Sequence, residues 1–137
     1  MKKKVLSLVL KAAKVMGLAA PALAAEGSET GKIVILHTND VHCGIDPVTD
    51  EASGAVTNVG YAGVAAYKGE MEAQYGAENV TLVDAGDAIQ GGPIGTLSKG
   101  SYIVDIMNEV GYDLAIPGNH EFDYGMENFL TLSLIHI

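Results

Sequence analysis

An α/β domain with a mostly parallel, doubly covered sheet is the fold class this sequence predicts, and two observations predict it. Three short apolar runs, KIVILHTN (residues 32–39), NVTLVDA (79–85) and DLAI (113–116), alternate with two stretches of helical character, giving a β-α-β-α-β order. The first run carries β-branched Ile33, Val34 and Ile35 and is apolar on both alternating faces, the pattern of a strand covered on both sides.

The elements follow in order. Residues 43 to 58 (CGIDPVTDEASGAVTN) are rich in Gly, Asp, Ser and Thr and read as a loop. Residues 59 to 75 favour a helix, with Val64, Tyr67, Met71 and Tyr75 at helical spacing, although Gly60, Gly63 and Gly69 weaken its propensity. A second buried strand spans Val80 to Ala85, and GGPIGTLSKG (91–100) reads as a loop. SYIVDIMNEVGYD predicts a helix with Ile103, Ile106, Met107 and Val110 on one face and Gly111 at its C-terminal end. The third strand covers 113 to 116, and MENFLTL starts a further helix. The final LSLIHI is apolar without a helical stripe and reads as a truncation or a foreign ending, so His136 receives no functional weight.

The N-terminal 24 residues have a Lys-rich start, an apolar stretch and an A-x-A at Ala22-Leu23-Ala24, the layout of a secretory signal peptide, followed by a small polar linker over 25–31. Lys11 and Lys14 interrupt the apolar stretch, so a basic amphipathic helix lying on a membrane is the competing reading. No run approaches the roughly 20 apolar residues of a transmembrane helix. Cleavage would remove five of the eight lysines, and the chain has no arginine. Residues 25 to 137 then carry three lysines against 17 acidic residues, a net charge of about −14. Such a domain is a poor partner for a nucleic-acid polymer, whose binding relies on cationic side chains. If its substrate is a smaller phosphate, bound metal is the natural source of neutralising charge. The single Cys43 has no partner for an internal disulfide and reads as a stray thiol.

The chemistry concentrates just beyond the three strands. Asp40-Val41-His42, Gly86-Asp87 and Gly118-Asn119-His120-Glu121 each follow one of them, and parallel strands deliver their C-terminal ends to a common rim. Asp and Asn oxygens with His nitrogens suit Zn, Mn or Mg-like cations. In an extended segment Asp40 and His42, two residues apart, lie on one side, and Gly86 permits a tight turn before Asp87. One such cluster is an ordinary polar turn; three in register are a site.

The set D-x-H, G-D and G-N-H-E resembles the metallophosphoesterase (calcineurin-like) superfamily. More narrowly, ILHTNDVH, DAGDAIQGGPIGTLSKG and PGNHEFDYGM resemble the bacterial exported 5′-nucleotidase / 2′,3′-cyclic-nucleotide phosphodiesterase / UDP-sugar hydrolase family, from about Lys32 to Leu130. The resemblance implies the front half of a four-layer α/β/β/α sandwich, truncated, with residues 32–137 as the N-terminal part of the catalytic domain. It implies two divalent cations (Zn, Mn, Co or Mg/Ca), with Asp40 and His42 on the first, Asp87 bridging both and Asn119 on the second. His120 matches the catalytic histidine, Asp123 the acid that orients and charges it, and Glu121 takes a supporting role. His37, inside the first strand, reads as a core or supporting imidazole. The implied reaction is hydrolysis of nucleotide phosphate esters by a metal-bridged hydroxide, in the periplasm, at the cell surface or outside the cell. The family's further histidines, its side-chain amide ligand and its nucleoside-binding domain have no counterpart in these residues. The fragment by itself is therefore expected to be inactive, and a non-catalytic exported metal-binding or surface module is the alternative. Substrate-binding residues and oligomeric state are not legible.

Overall fold

The computed structural model describes residues 31–133. The signal-peptide expectation for 1–24, most of the linker, and His136 with the rest of 134–137 lie outside the described residues. Among the described residues no helix is long and apolar enough to cross a membrane.

The elements run β1 (Val34–Thr38), β2 (Val48–Thr49), β3 (Val56–Asn58), α1 (Gly60–Tyr75), β4 (Val80–Asp84), α2 (Gly92–Ser98), α3 (Ser101–Val110), β5 (Leu114–Ala115) and α4 (Met126–Ser133). Single 3₁₀ turns sit at Ala77–Asn79 and His120–Phe122. The main sheet has order β1-β4-β5 with both pairings parallel, as the alternation of runs predicts. Val34, Leu36 and Thr38 stand beside Val80, Leu82 and Asp84, so these six share one face. Helices cover that face: Val80, Leu82 and Asp84 are buried, and Tyr61, Ile103, Val104 and Met107 belong to the buried core beside them.

The other face departs from the expectation of double cover. Ile33 and Ile35 are 76% and 66% exposed, His37 is exposed, and Leu114 and Ile116 are each 54% exposed. The helices among the described residues pack on one side only, so apolarity on both faces of β1 is not matched by burial on both. His37 is accordingly not a core imidazole.

Both segments read as loops contain regular structure. Within 43–58, β2 and β3 pair antiparallel with a register shift beside Val48 and Thr49. Within 91–100, α2 forms with Pro93 in its first turn, where a missing N–H costs nothing. Its Gly and Ser content hid it, because low helix propensity is overridden when Ile94 packs against the core and Gly95 admits the Cys43 thiol. Helix α1 matches its expected span, but Tyr67 from the expected stripe is 53% exposed, and buried Tyr61 anchors the helix instead. Helix α3 buries Ile103, Val104 and Met107 and ends on Gly111 at φ +81°, as its sequence predicts. Helix α4 extends through Leu132 and Ser133, with Leu132 buried.

Candidate metal centre

The segments after β1, β4 and β5 are joined by backbone hydrogen bonds that continue the sheet past its last strand residues. Asp40, His42 and Cys43 donate their N–H groups to the carbonyls of Gly86, Asp87 and Ala88 at 2.9, 3.0 and 2.9 Å. Ile116 donates to Asp84 at 2.9 Å. Buried Asp84 braces this junction by accepting the Thr38 hydroxyl at 2.8 Å and the Gly86 N–H at 3.0 Å. The three polar clusters therefore meet at one rim, the C-terminal ends of parallel strands.

Three candidate residues there have left-handed backbones: Asp40 at φ +51°, His42 at +46° and Asp87 at +59°. For residues other than glycine this costs of order 1–3 kcal/mol each. Asp and His enter this region more readily than most side-chain-bearing residues, and the surrounding hydrogen bonds hold them there, where the side chains must be aimed.

His42, Asp87 and His120 each bring a ligand atom within 4.8 Å of the others. The His42 nitrogen and the Asp87 oxygen are donors suited to Zn-like or Mn-like cations, and the His120 ring stands beside them. His42 Nδ1 lies 3.0 Å from the Gln90 carbonyl, which makes Nδ1 the protonated nitrogen and leaves Nε2 free to ligate. Asp40 is not one of the trio; its Oδ1 stands 3.9 Å from His42 Nε2, and its other oxygen accepts from the Asn39 amide at 2.7 Å. Asn119 is exposed and occupies the position before the 3₁₀ turn that carries His120.

The His120 backbone N–H donates to Asp87 Oδ1 at 2.8 Å, locking the second and third clusters together. Its ring stands edge-on to His42, with centroids 5.1 Å apart. His120 Nδ1 is 2.7 Å from Asp123 Oδ2. That hydrogen bond raises the His120 pKa above the ordinary imidazole value, and the negative charges of Asp123, Asp87 and Glu121 add to the rise against a smaller opposing desolvation. The pairing predicted for His120 and Asp123 is thus formed.

Two glycines make the packing possible. A Cβ on Gly86, whose φ is +107°, would approach the Gly118 nitrogen to 2.6 Å. A Cβ on Gly118 would collide with the Asp87 carboxylate. A cavity of about 600 Å³ lies behind the cluster, lined by residues including Val104, Met107, Leu114, Phe129 and Leu132; none of His42, Asp87 and His120 lines it. Sequence reasoning missed Gln90, because a backbone carbonyl leaves no signature in side-chain type.

The sequence profile of the calcineurin-like phosphoesterases matches residues 33–135, and those residues contain all three clusters. The chain belongs to that family. It is 37% identical over 106 residues to the snake venom 5′-nucleotidase of Gloydius brevicauda, covering 77% of this chain and 18% of that protein. Among solved structures it resembles the 5′-nucleotidase precursor from Thermus thermophilus at 31% identity and TM-score 0.66, covering 76% of this chain and 20% of the other. It also resembles the NAD nucleotidase of Haemophilus influenzae at 35% identity and TM-score 0.61, covering 73% and 18%. The chain spans about a fifth of the length of the curated relatives it matches.

Proposed function

We propose that this chain carries the front half of the active site of an exported, two-metal phosphohydrolase of the 5′-nucleotidase type. The observation that carries the reading is the convergence of His42, Asp87 and His120 within 4.8 Å at the strand ends, in a family of phosphoesterases. Asp40, His42, Asp87 and Asn119 would hold the cations. When bound, these activate water and neutralise charge on the phosphoryl group. His120 is the chain's own contribution to the reaction. With Nδ1 engaged by Asp123, its Nε2 faces away from that acid, and its proton can be given to a phosphoryl oxygen that gains charge. The nucleotidase relatives support a nucleotide as substrate, and the leader-like first 24 residues support export. Because the resemblance assigns only Asp87 and Asn119 to the second cation, the 137-residue chain alone would bind that ion weakly and turn over slowly.

The test has two arms. The protein encoded by the complete gene is expected to release phosphate from AMP or a cyclic nucleotide with Mn, Co or Zn. In it, Asp87→Ala should empty the site, while His120→Ala should retain metal and lose about 10²–10⁴-fold in turnover. Phosphate release from no nucleotide or aryl phosphate would leave the non-catalytic metal-binding module as the surviving description. Equal metal loss in the two variants would make His120 a ligand.

A further inference from the structure

We propose that Glu121 is a positioning residue that holds the metal-ligand cluster together. It rests on the reading that the cluster holds a divalent cation. Glu121 is 8% exposed, and its carboxylate faces inward at the junction of two clusters. Its Oε2 accepts the N–H of Asp87 at 2.9 Å and of Gly118 at 2.6 Å. Its Oε1 accepts the N–H of Ala88 at 2.8 Å and, at a long 3.4 Å, of Ile89. One side chain therefore ties residues 87–89, after β4, to residue 118, after β5.

The consequence falls on Asp87. Its φ of +59° is unfavourable for a side-chain-bearing residue, and its N–H is one of the four that Glu121 collects. The same loop is gripped from the third cluster by the His120 N–H on Asp87 Oδ1. A buried carboxylate surrounded by N–H donors is satisfied in the charged state, and charge-assisted hydrogen bonds of this kind are stronger than neutral ones. Glutamine at this position would keep the volume but present an amide NH₂ to groups that can only donate. All of these contacts run between groups of the chain itself, so the clamp fixes the cluster through the protein's own hydrogen bonds.

The experiment compares the 137-residue chain with its Glu121→Gln variant. In the metal-free proteins, amide exchange at Asp87, Ala88, Ile89 and Gly118 should accelerate in the variant, while amides of α3 keep their protection. Mn²⁺ binding, read by the EPR signal of the free ion, should weaken about 10–100-fold in a variant that remains folded by circular dichroism. Unchanged Mn²⁺ affinity together with unchanged exchange at the four amides would overturn the proposal. So would a uniform rise in exchange across α3 with unchanged affinity, the mark of a purely structural role. If Glu121→Gln does not fold, the wild-type chain decides. The four amides should then exchange as one cooperative group, and four unrelated rates would overturn the clamp. If the wild-type chain takes up no Mn²⁺, the reading that its residues hold a cation on their own fails, and the metal-free exchange data still judge Glu121.

Discussion

His120 shows how a single side chain takes its character from one neighbour. The Asp123 carboxylate at 2.7 Å is the main cause of its raised pKa. A histidine whose folded pKa is raised contributes stability below its ordinary pKa and loses it as pH climbs through the raised value. Asp123→Asn is expected to bring the His120 titration midpoint down, read by NMR of the imidazole protons in the metal-free chain. An unchanged midpoint would assign the shift to Asp87 and Glu121 instead. Tyr61 gives a second test. It is 3% exposed, its hydroxyl has no hydrogen-bond partner among the described residues, and burial pushes its pKa far up. An unsatisfied buried hydroxyl costs about 1–3 kcal/mol. Tyr61→Phe should therefore leave the urea midpoint unchanged or raise it, and a clear fall would mean the hydroxyl is satisfied. Of the residue-level features, Asp40, His42, Asp87, Asn119, His120 and Asp123 were legible as chemistry-bearing types directly after apolar runs. Gln90 was not, because it acts through its carbonyl oxygen, which every residue possesses.

At the scale of elements, the loops after β4 and β5 behave as one unit. Gly118 lies against Asp87 so closely that any Cβ meets the carboxylate. Gly118→Ala must displace Asp87 or the backbone of its own loop, in a region already held by four contacts to Glu121. The expected result is a loss of Mn²⁺ affinity greater than the loss of global stability, checked by metal titration beside urea unfolding. Equal affinity in the two proteins would show that the loops separate without consequence. Helix α2 and the β2–β3 hairpin were hidden at this scale for one reason. Their Gly, Ser, Thr and Asp content carries weak intrinsic preference, and they form because neighbours hold them: Cys43 and the core beside α2, and each strand of the hairpin by its partner.

Among the described residues the sheet is covered unevenly. Leu82 on the helix-covered face of the sheet is 1% exposed, whereas Ile35 on the opposite face is 66% exposed. Leu82→Ala is expected to cost about 2–5 kcal/mol in urea unfolding of this chain. Ile35→Thr, which keeps β-branching, should stay within about 0.5 kcal/mol. Comparable costs would mean that both faces are covered in solution. The same asymmetry explains why His37 is not a core imidazole: alternation places it with Ile35 and Leu114 on the face that the described helices leave open.

By itself the sequence determined the order of β1, α1, β4, α3 and β5 and the parallel pairing of those three strands, because apolar periodicity and short connections are local properties. It also determined which residue types stand at the strand ends, and through them the family. Only the tertiary structure decided which of those side chains meet. Asp87 reaches His42 and His120 through left-handed backbone and a buried glutamate clamp, and such geometry is set by contacts between segments far apart in the chain. Burial of each sheet face was decided there too, since an apolar side chain records a preference for cover and only packing shows whether cover exists.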